Sequence, residues 1–142
     1  MRRRAFWIAA PALLIVFAFG TGTAGAAKVF APEDCGKAQA RPDTVSLACA
    51  DDNIYVGAIN WRNWGGRRSG GRGTLTVNNC NPNCAADKFK TYPVHITLRR
   101  VRVRKCGTKK RVPLYTTAVL GFPVNQPSFA ASIQKSKLGC NA

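Results

Sequence analysis

Acidic side chains are scarce in this chain: six Asp and Glu stand against 22 Lys and Arg in 142 residues. No acidic tail offsets the excess, which excludes a surface neutralised by its own ion pairs. Histidine is nearly missing as well, with His95 alone. One imidazole with no locatable serine and carboxylate partner argues against a hydrolase. Nor can it complete a zinc site with Cys80-x-x-x-Cys84, which lacks a second ligand pair at metal spacing. Beyond the first 27 residues there is no amphipathic helical stripe, and no internal repeat anywhere, which argues against helical bundles and solenoids. The chain therefore reads as a non-enzyme with no cofactor, no metal and no catalytic residue.

What is present begins with Arg2, Arg3 and Arg4, followed by the apolar run AFWIAAPALLIVFAFG and the small-residue stretch TGTAGAA. This is the anatomy of a secretory signal peptide over residues 1–26, with Ala24 and Ala26 at the cleavage positions and a mature chain starting near Ala27 or Lys28. The run contains Pro11 and is short of the roughly 20 residues of a membrane span. The expectation is a secreted, extracellular protein with no transmembrane span in its mature form.

All six cysteines follow the leader. An even count in a small exported chain reads as a disulfide framework. In CNPNC, Pro82 presets one turn dihedral and Asn83 tolerates a left-handed one, so Cys80 is expected to close on Cys84. The remaining assignment is Cys49 with Cys106, and Cys35 with Cys140 as a staple between the two terminal arms.

Residues 27–44 hold two prolines and mixed charge without periodicity and read as an irregular N-terminal arm. A β domain is expected over 45–122. Val45, Leu47 and Cys49 alternate with polar residues, Asp51, Asp52 and Asn53 supply a turn, and Ile54 to Ile59 resumes as a strand. Asn63 to Gly73, within the stretch RNWGGRRSGGRG, reads as a long exposed loop. Thr74 to Val77 alternates again. Further on, Val94, Ile96 and Leu98 share one parity while Val101 and Val103 take the other, which predicts a β-bulge near Arg99 and Arg100. KCGTKK reads as a hairpin tip, Val112 to Phe122 as its return strand, and 123–142 as an irregular C-terminal arm. The fold class is all-β: a small disulfide-stapled sandwich of immunoglobulin-domain size, with a partly open barrel as the alternative.

The order Trp61-x-x-Trp64-Gly65, Gly71-x-Gly73-Thr74, Asn79-Cys80-x-Pro82-Asn83-Cys84-Ala85, Phe89-x-x-Tyr92-Pro93-Val94 and Cys106-Gly107 resembles a group of small secreted actinobacterial proteins of unknown function. The resemblance covers roughly residues 45 to 122. It implies export, β-structure and a four-cysteine core, and it assigns no ligand. Cys35, Cys140 and the loop arginines look like additions to the shared pattern, and Asp87 stands where a glycine is expected.

With the three leader arginines set aside, nineteen basic residues face six acidic ones, a net charge of +13. Outside a cell such a surface meets anionic wall polymers, lipid head groups, extracellular DNA and acidic polysaccharide. Export removes intracellular RNA as a partner, whatever the arginine-glycine stretch resembles. The densest cluster is Arg99, Arg100, Arg102, Arg104, Lys105, Lys109, Lys110 and Arg111, with Arg62, Arg67, Arg68 and Arg72 as auxiliaries if the glycine loop folds over it. Alternate residues of a strand lie about 6.6 Å apart, inside a Debye length of about 8 Å, so these charges repel one another. The functional reading is a polyanion-binding ridge; the plainer one is a solvated strand kept charged against edge aggregation. A trypsin-like protease bait loop at the loop arginines is the rival class, opposed by glycine flexibility. Trp61, Trp64, Tyr55 and Tyr92 are expected to complete the core rather than stack on sugars.

Overall fold

The computed structural model describes residues 28–49, 53–78, 80, 83–86, 88–107 and 109–140. The expected leader with its cleavage site, and Asp51, Asp52, Pro82 and Asp87, lie outside the described residues. The protein is all-β, as the alternating segments require. Strands β3 (Val45–Ser46), β4 (Ile54–Asn63), β5 (Arg68–Asn78), β6 (Phe89–Cys106), β7 (Lys109–Gly121) and β8 (Lys135–Lys137) form one antiparallel sheet in chain order. A second, two-stranded sheet pairs β1 (Ala31–Pro32) with β2 (Ala38–Gln39). Helical structure among the described residues amounts to a single 3-10 turn at Cys84–Ala86 and one short helix, α1 (Ala130–Ile133).

The larger sheet curls. Phe30 bridges to Leu114 in parallel, donating its N–H to Pro113 and accepting from Tyr115. Three residues later Glu33 accepts from Ser46 of β3. Four ladder steps separate β7 from β3, about 19 Å in a flat sheet, and an arm running along β7 advances little across it. The small sheet therefore lies over the open side, and no closed barrel forms. The larger of two buried clusters fills the space between: Val29 and Ala31 of the arm pack with Val45, Val56, Leu75, Ile96, Leu98 and Tyr115 of the curled sheet. Trp61 and Trp64 are half-buried against it. Their Nε1 groups donate to Pro42 and Val29 carbonyls at 2.8 and 3.0 Å, and their rings meet edge-on at 4.7 Å.

The glycine-rich stretch is strand, not loop, apart from Trp64 to Arg67. β4 carries two register shifts, between Gly57 and Asn60 and between Trp61 and Asn63, with Ala58 at a φ of 50°. These bulges push its backbone toward β5. A side chain at Gly71 would stand 2.8 Å from the Asn60 carbonyl oxygen, and one at Gly73 2.9 Å from that of Gly57. Glycine is required there because two backbones approach closely, which sequence composition alone presents as flexibility.

The parity change in β6 also has a different origin from the expected bulge. Arg99 pairs with Thr117 and Val101 with Tyr115, so one residue intervenes on each strand and none is added. Arg100 itself takes a left-handed φ of 61°, and its carbonyl accepts the Thr116 hydroxyl at 2.8 Å. Val101 then packs against the core, whereas Val103 stays 52% exposed.

Cys80 and Cys84 are bridged, with Cα atoms 3.8 Å apart. The other two pairings differ from expectation: Cys35 joins Cys49 and Cys106 joins Cys140, at Cα separations of 5.2 and 5.0 Å. The four cysteines do gather at one end, where Cys49 Sγ lies 3.6 Å from the Gly139 carbonyl oxygen. Partnership is decided by two local placements. The turn after β1 sits against β3, and the C-terminal segment returns along β7 toward the hairpin tip, with Leu138 donating to Thr116. In the turn, Asp34 accepts the N–H groups of Gly36 and Lys37 at 2.8 and 2.7 Å. The Gly36 bond first, opposed by desolvation and aided by Lys37, holds the Asp34 carboxyl below its ordinary range. The stabilisation it brings is present at neutral pH and lost as pH falls through that lowered value.

Candidate functional site: an arginine-lined face

The sheet register places Arg68 of β5 directly opposite Arg99 of β6. Side chains at opposed positions leave the backbone about 5 Å apart, so this rung sets two like charges side by side. Arg67 precedes it in the β4–β5 connection, and Arg100 and Arg102 follow along β6. All five line one broad groove of about 1100 Å³ floored by Gly65, Gly66 and Val101. The only ion pair among the described residues is Lys37 with Asp34, at 3.5 Å and remote in sequence from these arginines. No described carboxylate therefore neutralises them. Arg99 is half-buried, and its Nε is shut from solvent with no hydrogen-bond partner. A desolvated, unpaired donor is costly, which adds to the strain of the crowded arginines.

The connection that carries Arg67 is held rather than mobile. Gly65 N–H donates to Ser69 Oγ at 3.2 Å, Ser69 Oγ lies 2.7 Å from the Tyr115 hydroxyl, and that hydroxyl donates to the Gly66 carbonyl at 2.7 Å. Each hydroxyl has one proton, so with the tyrosine proton on Gly66 the serine must donate to Tyr115. The chain of bonds is closed and fully used. Removing the phenol, as Tyr115→Phe, strands the buried Ser69 hydroxyl and frees the Gly66 carbonyl. The expected cost is about 2 kcal/mol in denaturant unfolding, together with faster tryptic cutting after Arg67 and Arg68. Unchanged cleavage would show that the phenol does not fasten the connection.

A second groove, of about 380 Å³, adjoins the first. It is lined by Arg100, Arg102, Arg104 and Lys105 on one side and by Lys137 of β8 on the other. The structure thus divides the expected ridge. Lys110 and Arg111 are exposed near the hairpin tip, where Arg111 Nη2 donates to the Val103 carbonyl at 3.4 Å, and they line neither groove. Lys109 pairs through its backbone with Cys106 at the same tip. The expected auxiliaries also separate. Arg67 and Arg68 join the ridge, while Arg62 and Arg72 flank a smaller hollow of about 190 Å³ beside His95, which pairs with Arg72 across the sheet.

Lys137 was missed by sequence reasoning. The polar alternation Lys135-Ser136-Lys137 is short, and only its pairing with β7 makes it a strand that brings a cation to the groove. A cavity of about 400 Å³ between the arm and the hairpin tip mixes Glu33 with Lys28 and Lys37, so its charges offset one another in part. Among the described residues there is no cluster of metal-ligating side chains, and no helix is long and apolar enough to cross a membrane. Comparison with family models, with curated proteins and with solved structures returns no match for the chain.

Proposed function

We propose that the protein is exported and acts through its surface, as a basic binding protein that holds polyanions or cell-envelope polymers without a catalytic centre. The observation that carries this reading is the convergence of Arg67 and Arg68 with Arg99, Arg100 and Arg102 around one groove that no described carboxylate neutralises. Like-charge crowding of this kind costs stability in the free protein, and a bound anion relieves it. Guanidinium forks take phosphate or carboxylate oxygens in pairs, and released counterions supply much of the free energy. Three disulfides accord with an oxidising, extracytoplasmic compartment.

The test is retention of the oxidised protein on purified anionic wall polymer and on DNA across a salt series, beside a variant with Arg100, Arg102 and Arg104 changed to Gln. Loss of three contacts is expected to flatten the salt slope by about 2–3 and to weaken retention on the order of a hundredfold at physiological salt. Equal elution of both proteins at every salt concentration would show that Arg100, Arg102 and Arg104 hold no polyanion and would overturn the reading.

A second reading draws on the fastened connection. Because Arg67 is presented on a braced segment, glycine flexibility no longer counts against a protease-inhibitor role. Stoichiometric inhibition of a trypsin-like protease would favour that reading; simple cleavage after Arg67 or Arg68 would end it.

A further inference from the structure

The second groove has a repeat. Arg100, Arg102 and Arg104 occupy alternate positions of β6 and open onto the same channel, faced by Lys137. Alternate strand residues advance about 6.6 Å, so the channel offers a row of guanidinium groups at a regular pitch. We propose that its occupant is an extended, base-free phosphodiester chain of the polyol-phosphate kind, laid along β6 with successive phosphates taken by Arg100, Arg102 and Arg104. This inference rests on the polyanion reading above and names its ligand class.

Covalent geometry matches the two pitches. An extended polypeptide spends three backbone bonds per residue and spans at most about 3.6 Å in doing so. A phosphodiester repeat on a three-carbon polyol has six backbone bonds from one phosphorus to the next. Its extended reach therefore equals that of two residues, about 7 Å. Each phosphate meets the next arginine without the polymer coiling or stretching. A polyuronate carries its carboxylates on rigid sugar rings and has little bond rotation with which to adjust. Phosphate also suits the donors, because a guanidinium binds two phosphate oxygens at once.

The aromatic residues speak against bases. Proteins that hold single-stranded nucleic acid stack its bases on exposed rings, at about 1–3 kcal/mol per base. Here Trp61 and Trp64 are committed through their Nε1 groups and their mutual edge contact. Tyr115 is fully buried, and Tyr92 lies edge-on against Phe129. Among the described residues the one exposed aromatic is Phe89, at the start of β6 and about 33 Å along the strand from Arg99. A nucleic acid in this channel would be held by its backbone alone.

The experiment is equilibrium binding of the oxidised protein to three fluorescent oligomers of equal charge number: glycerol phosphate, oligo-dT and oligogalacturonate. The variant with Arg100, Arg102 and Arg104 changed to Gln is measured in parallel, and near-UV circular dichroism verifies that it is folded. The glycerol phosphate oligomer is expected to bind at least about tenfold tighter than the uronate and within about threefold of oligo-dT, a preference the variant loses. Equal binding of the uronate would overturn the phosphodiester assignment while leaving the polyanion reading intact. Oligo-dT tighter by tenfold or more would overturn the base-free assignment. Absence of binding by all three at physiological salt would overturn both readings together.

Discussion

Gly107→Ala is expected to destabilise the fold by about 3–5 kcal/mol, the range of a change that strains backbone and packing at once. Gly107 sits at the β6–β7 tip with a φ of 54°, a conformation that costs an alanine roughly 1–2 kcal/mol. The larger part comes from contact. A Cβ at this position would run into the Gly36 carbonyl of the N-terminal arm. Neither side can give way easily. Gly36 lies in the turn pinned by Asp34 and flanked by the Cys35–Cys49 bridge, while Gly107 follows Cys106, which is bridged to Cys140. Denaturant midpoints of wild type and variant, compared under non-reducing conditions, give the answer. A loss below about 1 kcal/mol would mean that the tip and the arm are not locked together in solution.

Removing the Cys106–Cys140 bridge by paired Ser substitutions is expected to cost about 3–4 kcal/mol. The bridge spans 34 residues in sequence, and the entropy lost by the unfolded chain on cross-linking grows with loop length. The Cys80–Cys84 bridge, with a separation of 4, contributes about 2 kcal/mol by the same reasoning. For a domain of this size the larger loss lowers the thermal midpoint by at least about 10 °C. There is a local consequence as well. Cys106 is buried with Ala38 and Leu114, and Cys140 packs on that cluster. Freeing it loosens the hairpin tip and the segment after Lys137, so amide protection is expected to fall first around residues 104–110. A thermal midpoint within about two degrees of wild type would assign the stability of this end to packing alone.

Both changes act on the junction that carries the far end of the basic face. The hairpin tip is held by the arm beneath it and by the C-terminal segment beside it, and β8 brings Lys137 to the second groove. Polymer binding and folding are linked at this point. A chain held by Arg102, Arg104 and Lys137 should raise the midpoint of the bridge-deleted variant with the logarithm of its free concentration once that exceeds Kd.

Local composition determined the strand content, the cysteine framework and the excess of positive charge. Alternation at Val94, Ile96 and Leu98 is a property of neighbouring residues, and so is the turn chemistry of Cys80 to Cys84. Charge needs only counting. The rest depended on which distant segments meet. Gly71 and Gly73 look like flexible loop residues until the bulged β4 is laid beside them, and the partners of Cys35 and Cys106 follow from where the arm and the C-terminal segment cross the sheet. The site has the same division. A run of basic residues on β6 is legible in the chain, but the groove requires Arg68 opposite Arg99, Arg67 braced by Ser69 and Tyr115, and Lys137 from the last strand. Strand register and β-bulges are settled by non-local backbone pairing and core burial. No sequence window contains both partners, so only the tertiary structure decided which charges share a groove.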